Sequence, residues 1–344
     1  MTCDGAGAAG DIDLTRCTLC PRRCSADRRV SPGFCRAGGN VDANIDCSAG
    51  GNAGASHDPA NTLRIARASL HYWEEPCISG EQSDSIPPSR RRGSGTIFFS
   101  GCPLKCVFCQ NRHISVEAFG RVVTVDGLCD IMLRLRDSGA YNINLVSPTQ
   151  FIPQIASALR AVKGELAIPV IYNTGGYELP SSLRLLDGLV DVWLPDFKYC
   201  SPDLAAKYSA ARDYPQIAAE ALRVMYSLSG DCVFDSRGMI LRGVIIRHLV
   251  LPGCRRDSIE VLRRIAEIKN EGGISRDIRV SIMSQYTPPS DPPPGFPAEL
   301  LRTLTSFEYS SVLAEADRLS LSGYRQYGSP AGESFIPAFD LTGV

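Results

Sequence analysis

From residue 96 onward, short runs of consecutive apolar residues alternate with longer stretches whose apolar residues recur every three or four positions. The first pattern marks strands buried on both faces; the second marks helices with one face on a core. Strands are predicted at 96–100 (Thr-Ile-Phe-Phe-Ser), 141–146, 168–172, 189–194, 240–250 and near 277–283. Helices are predicted between them. The first carries Leu128, Ile131, Met132 and Leu135 behind Thr124 as N-cap. The others fall at 151–163, 180–187, 202–210, 214–228, 257–270 and 298–316. Six β/α units of this kind predict an α/β fold with a parallel sheet. Six suit an open, partial (β/α)6 TIM-like barrel better than a closed eight-fold one, and chemistry in such barrels gathers at the C-terminal strand ends.

Upstream of residue 96 this alternation is absent. Residues 1–16 read as a disordered lead. Residues 17–47 are rich in cysteine, arginine and glycine without a period, and residues 48–60 are loop-like. Residues 61–78 carry Leu63, Ile65, Leu70, Tyr72 and Trp73, then the acidic pair Glu74-Glu75. Residues 79–95 are a linker by their Pro, Gly and Ser content, and their three arginines read as a solvated run. The expected division is a small Cys-rich extension with its linker at 17–95, a core barrel at 96–317 and a tail at 318–344.

Composition narrows the function. The 344 residues are 44% hydrophobic, ample for a large core. Thirty-six basic residues face 37 acidic ones, so no global field points to nucleic acid or a membrane surface. No apolar run reaches the length of a membrane span. The first ten residues lack the basic and apolar regions of a signal peptide. Fourteen cysteines are bunched, which indicates metal or cluster ligation in a reducing compartment, hence a cytoplasmic protein.

The densest bunch is Cys102, Cys106 and Cys109, spaced C-x3-C-x2-C in Ser100-Gly-Cys-Pro-Leu-Lys-Cys-Val-Phe-Cys-Gln-Asn111. A [4Fe–4S] cube takes four thiolates, one per iron, so three from one loop leave one iron open to another ligand. A zinc knuckle is the competing reading; it needs a fourth ligand, and His113 is the nearest candidate. The predicted strand ends add polar groups on one rim: Ser147 to Gln150, Asn173 to Tyr177, Pro195 to Tyr199, Arg247-His248 and Met283 to Tyr286. Asp196 and Lys198, one residue apart in extended chain, point the same way. They read as a cation or cofactor contact, or as a local ion pair. His248, among apolar residues, reads equally as a site residue or a hydrogen-bonded core histidine.

These stretches together resemble the radical SAM superfamily, and within it the pyruvate formate-lyase activating enzyme-like branch with an N-terminal cysteine segment. The matching segments are Cys17-Thr-Leu-Cys-Pro-Arg-Arg-Cys24 with Cys35, His71-Tyr-Trp-Glu-Glu-Pro76, Gly95 to Cys102, Cys109-Gln-Asn111, Asn142 to Thr149, Tyr172 to Tyr177, Leu194 to Tyr199, Arg247 to Gly253 and Met283 to Tyr286. The resemblance spans roughly residues 17 to 290. It implies that Cys102, Cys106 and Cys109 hold a [4Fe–4S] cluster whose open iron binds S-adenosyl-L-methionine. It places Asn173 and Thr174 on that cofactor, Asp196 and Lys198 in an Asp-x-Lys tied to a nearby cation, and Arg247 and His248 near the methionyl carboxylate and ribose. Ser147 and Thr149 stand where many members carry a Gly-Gly-Glu that meets the cofactor amino group; this chain has no glutamate there. No ferredoxin-like insertion follows the cluster loop.

The implied activity is reductive cleavage of S-adenosylmethionine followed by hydrogen abstraction from a protein or peptide, as in glycyl-radical enzyme activation. An electron donor such as flavodoxin or ferredoxin is the implied partner. The alternatives are a radical SAM enzyme acting on a small molecule or side chain, and a non-catalytic Fe–S or zinc protein. Cys17, Cys20, Cys24 and Cys35, spaced C-x2-C-x3-C-x10-C, form a complete ligand set for zinc or for a second Fe–S cluster, and thiolate softness suits both.

Overall fold

The computed structural model of the chain describes residues 13–39, 58–81, 91–271, 276–326 and 337–344. Most of the expected lead, residues 48–57 of the loop expected at 48–60, most of the linker, and Cys3 and Cys47 lie outside the described residues.

The described residues form ten strands: β1 (Thr62–His71), β2 (Ser94–Phe99), β3 (Arg121–Thr124), β4 (Ile143–Val146), β5 (Val170–Thr174), β6 (Val192–Pro195), β7 (Val233–Phe234), β8 (Ile240–Leu249), β9 (Arg279–Met283) and β10 (Gly323–Arg325). Between them lie α1 (Pro76–Ser79), α2 (Arg112–Ser115), α3 (Val125–Asp137), α4 (Ile152–Leu166), α5 (Pro180–Leu183), α6 (Pro202–Ser209), α7 (Tyr214–Ser229), α8 (Arg255–Lys269) and α9 (Ser306–Arg318). The sheet order is β10-β9-β8-β6-β5-β4-β2-β1-β3, with β7 antiparallel on β8. Along that order, every pairing from β2 to β10 is parallel; the β7–β8 pair lies off it. The parallel strands follow one another in chain order. Each crossover therefore steps in the same direction, as in a barrel wall rather than a doubly wound sheet.

The expected α/β class and the six expected parallel strands are present as β2, β4, β5, β6, β8 and β9. Their runs are buried on both faces: all six residues of β2 are buried, as are Ile143, Leu145, Val170, Ile171, Tyr172, Val192, Trp193 and Leu194. Helices lock over them through apolar faces such as Leu128, Ile131, Met132 and Leu135 on α3. Thr124 caps α3, accepting the amide of Gly127 at its hydroxyl.

The sheet also extends beyond the six units. β1 pairs antiparallel with β2 and with β3, so residues 62–71 belong to the main sheet. The helix expected over 298–316 is two pieces: a short 3-10 turn over Ala298–Leu301, then α9. Thr305 starts α9 with a reciprocal capping box to Glu308, which fixes the start inside the expected span.

Candidate functional site at the strand ends

The loop after β2 carries the three cysteines over the C-terminal rim of the parallel strands. Gly101 opens it with φ +85°, and a side chain there would strike the carbonyl of Cys35, 2.2 Å from the position of a Cβ. Gln150 holds the loop from beneath: its Nε2 donates to the carbonyls of Ser100 (3.0 Å), Gly101 (3.1 Å) and Ser147 (2.8 Å). On the far side Val107 donates its amide to Tyr208 at 2.8 Å, Cys106 Sγ meets Ser209 Oγ at 3.0 Å, and Cys109 Sγ meets Ser115 Oγ at 3.3 Å.

Cys102, Cys106 and Cys109 open on a cavity of about 460 Å3. Ser147, Asn173, Thr174, Asp196, Lys198 and Arg247 line the same cavity, so six of the eight expected cofactor contacts converge with the three thiols. The other two do not reach it. Thr149 is buried and donates its hydroxyl to Glu178 at 2.6 Å. His248 is buried and bonds through Nδ1 to the carbonyl of Phe197 at 2.7 Å, while its Nε2 has no hydrogen-bond partner among the described residues. Of its two sequence readings, this environment is that of the core histidine. His113 also faces away from the thiols: it bonds to Glu117 at 2.9 Å and stacks on Phe119. Among the described residues, no three His, Cys, Asp or Glu side chains are drawn together around a single metal-ion position.

Charge inside the cavity is paired. Lys198 Nζ donates to Asp196. Burial disfavours the Lys198 charge, but Asp196 and the Cys106 thiol outweigh it and hold the ammonium charged. Burial also pushes the Cys102 and Cys106 thiols up, with Lys198 acting against this at both. Deeper in, Arg247 is clamped by two carboxylates. Its Nε donates to Glu75 at 2.9 Å, and its outer nitrogen bonds to both Glu75 and Glu74. Asn144 adds a hydrogen bond to Glu74 at 3.2 Å. Burial works against the Glu75 charge, yet Arg247 overcomes it and keeps the carboxyl below its ordinary range.

Glu178 was outside the sequence reading, and Gln150, Glu74 and Glu75 were named there without the roles they take. Glu74 and Glu75 had a visible signal, an acidic pair closing an apolar stretch, but nothing in the sequence tied them to Arg247, more than 170 residues away. Gln150 and Glu178 are polar residues in loops and carry no spacing signal. Glu178 is fully buried, and burial pushes its carboxyl up to about 7 against the hydrogen bonds it accepts from Thr149 and Thr174. Its Oε2 lies buried without a hydrogen-bond partner.

The N-terminal cysteine segment sits against this site. Cys17, Cys20 and Cys35 are buried and Cys24 is exposed. Cys24 and Cys35 place their sulfurs on either side of Gly33, 3.3 and 3.6 Å from where a Cβ would stand. Arg22 donates to the carbonyls of Pro103 (2.8 Å) and Ser209 (3.1 Å), and Ser182 donates to Leu19 at 2.6 Å.

No family model matches the chain. It is 28% identical over 245 residues to the uncharacterized protein MJ0674 of Methanocaldococcus jannaschii, covering 69% of this chain. The match spans 57% of that relative's length. Among solved structures, it is similar to SuiB of Streptococcus suis bound to S-adenosylmethionine, with TM-score 0.47 and 14% identity over 69% of this chain and 50% of that one. It is also similar to anSMEcpe with bound AdoMet, with TM-score 0.42 and 10% identity over 66% of this chain and 62% of that one.

Proposed function

We propose that the chain is a radical SAM enzyme: Cys102, Cys106 and Cys109 hold a [4Fe–4S] cluster, and the cavity beside them holds S-adenosylmethionine. The observation that supports this reading is the convergence of the three thiols with Ser147, Asn173, Thr174, Asp196 and Lys198 on one cavity. The residues fit the group. Three soft donors from one loop match three irons and leave the fourth open. Gly175 lines the cavity and Gly176 follows it, and both are closely packed: a Cβ at Gly176 would lie 2.2 Å from the carbonyl of Asp196, and one at Gly175 would press on Leu104 at 3.0 Å.

The cofactor pair supplies the reductive cleavage and the hydrogen-abstracting fragment; the protein binds, orients and shields it. Asp196 and Lys198 offer one charge of each sign, suited to a cofactor that is itself zwitterionic at its methionyl end. Asn173 and Thr174 supply uncharged polar contacts from the end of β5. Arg247, held by Glu74 and Glu75, is occupied by carboxylates of its own chain and serves as a fixed floor.

The finer reading is a protein or peptide substrate, as in glycyl-radical activation, with a flavodoxin or ferredoxin as electron donor. Trp73, which is 57% exposed and stands on the lining of the cavity, supports a peptide-sized partner at the mouth. The test is chemical. Anaerobically reconstituted and reduced protein is given S-adenosylmethionine, and 5′-deoxyadenosine is quantified by chromatography. The unmutated chain yields it and Cys106→Ala does not. Absence of product from the unmutated chain counts against the enzyme reading.

A further inference from the structure

The four N-terminal cysteines are packed against the cluster loop, and the contact is made by the ligand residues themselves. The carbonyl of Cys35 accepts the amide of Cys102 at 3.2 Å. The same carbonyl fills the space where Gly101 lacks a side chain. One hydrogen bond therefore links a residue of one thiol set directly to a residue of the other.

The two sets are also alike. Cys17, Cys20 and Cys24 fall within eight residues as C-x2-C-x3-C, the reverse of the C-x3-C-x2-C at Cys102, Cys106 and Cys109. Structural zinc sites draw mostly on paired short knuckles, two ligands from each. Here one loop gives three thiols and a single cysteine, Cys35, closes the set. The set is complete, so it offers no open position for a substrate.

The surroundings are built for a buried anionic group. Arg28, only 3% exposed, donates to the carbonyl of Gln150 at 2.6 Å and brings its other terminal nitrogen within 3.9 Å of Cys35 Sγ. Arg22 lies over the rings of Phe34 and Tyr177 at 4.3 and 5.3 Å, and Lys105 over Phe34 at 5.1 Å. Solvent access is one-sided: Cys24 is exposed, while Cys17, Cys20 and Cys35 are buried. A site that only stapled the segment would need no such polarity. A site that takes electrons from outside and hands them inward needs one edge at the surface and one at the loop.

We infer that Cys17, Cys20, Cys24 and Cys35 hold a second iron–sulfur cluster that carries single electrons from a surface donor to the Cys102 loop. The inference goes beyond the proposed function; its relay step rests on that reading, while the identity of the N-terminal cluster does not. The step is a one-electron transfer. A low-potential donor of the reduced-flavin or iron–sulfur class loses one electron and the cluster gains it. The cluster would then give it up across the Cys35–Cys102 hydrogen bond to the cluster held by Cys102, Cys106 and Cys109, which would be reduced by that one electron. No bond is made or broken and no proton moves.

The experiment uses the full chain, reconstituted anaerobically with iron and sulfide. Iron, zinc and sulfide are measured, and spectra are recorded by electron paramagnetic resonance after dithionite reduction. Cys102→Ala/Cys106→Ala/Cys109→Ala should keep iron and sulfide, about four of each for a cubane, with a reduced-cluster signal. Cys17→Ala/Cys20→Ala should lose that share and keep the rest. The unmutated chain should hold the sum, with a signal broadened by two nearby spins. Zinc in place of iron in the triple variant overturns the inference, even if the Cys102 cluster is intact. If the double variant does not fold, the iron-to-zinc ratio of the unmutated and triple-variant proteins still decides. Failure of the proposed function reads differently: no 5′-deoxyadenosine, with N-terminal iron still present.

Discussion

Thr149 and Thr174 donate their hydroxyls to the same oxygen, Oε1 of Glu178. Thr174 ends β5 and Thr149 opens the short 3-10 turn that follows β4, so one buried carboxyl joins two segments of the rim. Thr149 thus serves the site from behind the cavity wall, while Thr174 lines it.

That arrangement has a pH signature. Glu178 is raised from 4.5 to about 7 by burial. Between those values the unfolded chain has released a proton that the folded one keeps. Stability therefore falls as pH rises from 4.5 to 7, by on the order of 3 kcal/mol, and is level above. His248 works in the opposite sense: burial lowers it from 6.5 to about 4, so its contribution is present above 6.5 and is lost as pH falls toward 4. Across pH 4.5 to 6.5 the two slopes oppose each other. Urea denaturation at a series of pH values should show Glu178→Gln tilting toward greater stability at higher pH relative to the parent. His248→Gln should tilt the other way. Parallel curves for parent and variants would show that neither group is perturbed.

Arg247→Ala removes the counter-charge that Glu75 has among the described residues and leaves the Glu74 and Glu75 carboxylates together. The expected loss is about 3–5 kcal/mol, the range for breaking one side of a buried pair. Glu74→Gln should cost much less, because Glu75 keeps both of its hydrogen bonds to Arg247. Chemical denaturation midpoints compare the two; equal losses would contradict the assignment of Glu75 as the main partner.

Gly101→Ala puts a methyl group onto the carbonyl of Cys35 at a position with φ +85°. The strain alone is about 1–3 kcal/mol. The larger effect should be local: the segment over residues 13–39 loosens, and limited proteolysis cuts there sooner than in the parent. Unchanged cleavage would mean that the Cys35–Cys102 contact does not hold the segment.

The parallel core was legible because strands buried on both faces write themselves as unbroken apolar runs, as in Ile97-Phe98-Phe99 and Val192-Trp193-Leu194. β1 was not, because Thr62–His71 mixes arginines and serine into the run, and its pairing with β2 and β3 is set by tertiary contacts rather than period. The cysteine loop and the polar strand ends announced the rim. They did not announce its supports: Gln150 beneath the loop, Glu178 between the threonines and Glu74-Glu75 on Arg247 act across long sequence separations. His248 sits between cavity residues Arg247 and Leu249, and neighbouring positions on a strand face different sides; Thr149 stands in a 3-10 turn, where that alternation does not apply.

The central claim is that three thiolates leave one iron open and that S-adenosylmethionine occupies it. The direct measurement is the electron paramagnetic resonance spectrum of the reduced, reconstituted Cys17→Ala/Cys20→Ala protein before and after adding S-adenosylmethionine. That variant isolates the Cys102, Cys106 and Cys109 site. The predicted result is a shift of the cluster signal on addition, absent when the cofactor is omitted. An intact cluster signal that stays unchanged with S-adenosylmethionine in excess would contradict the claim.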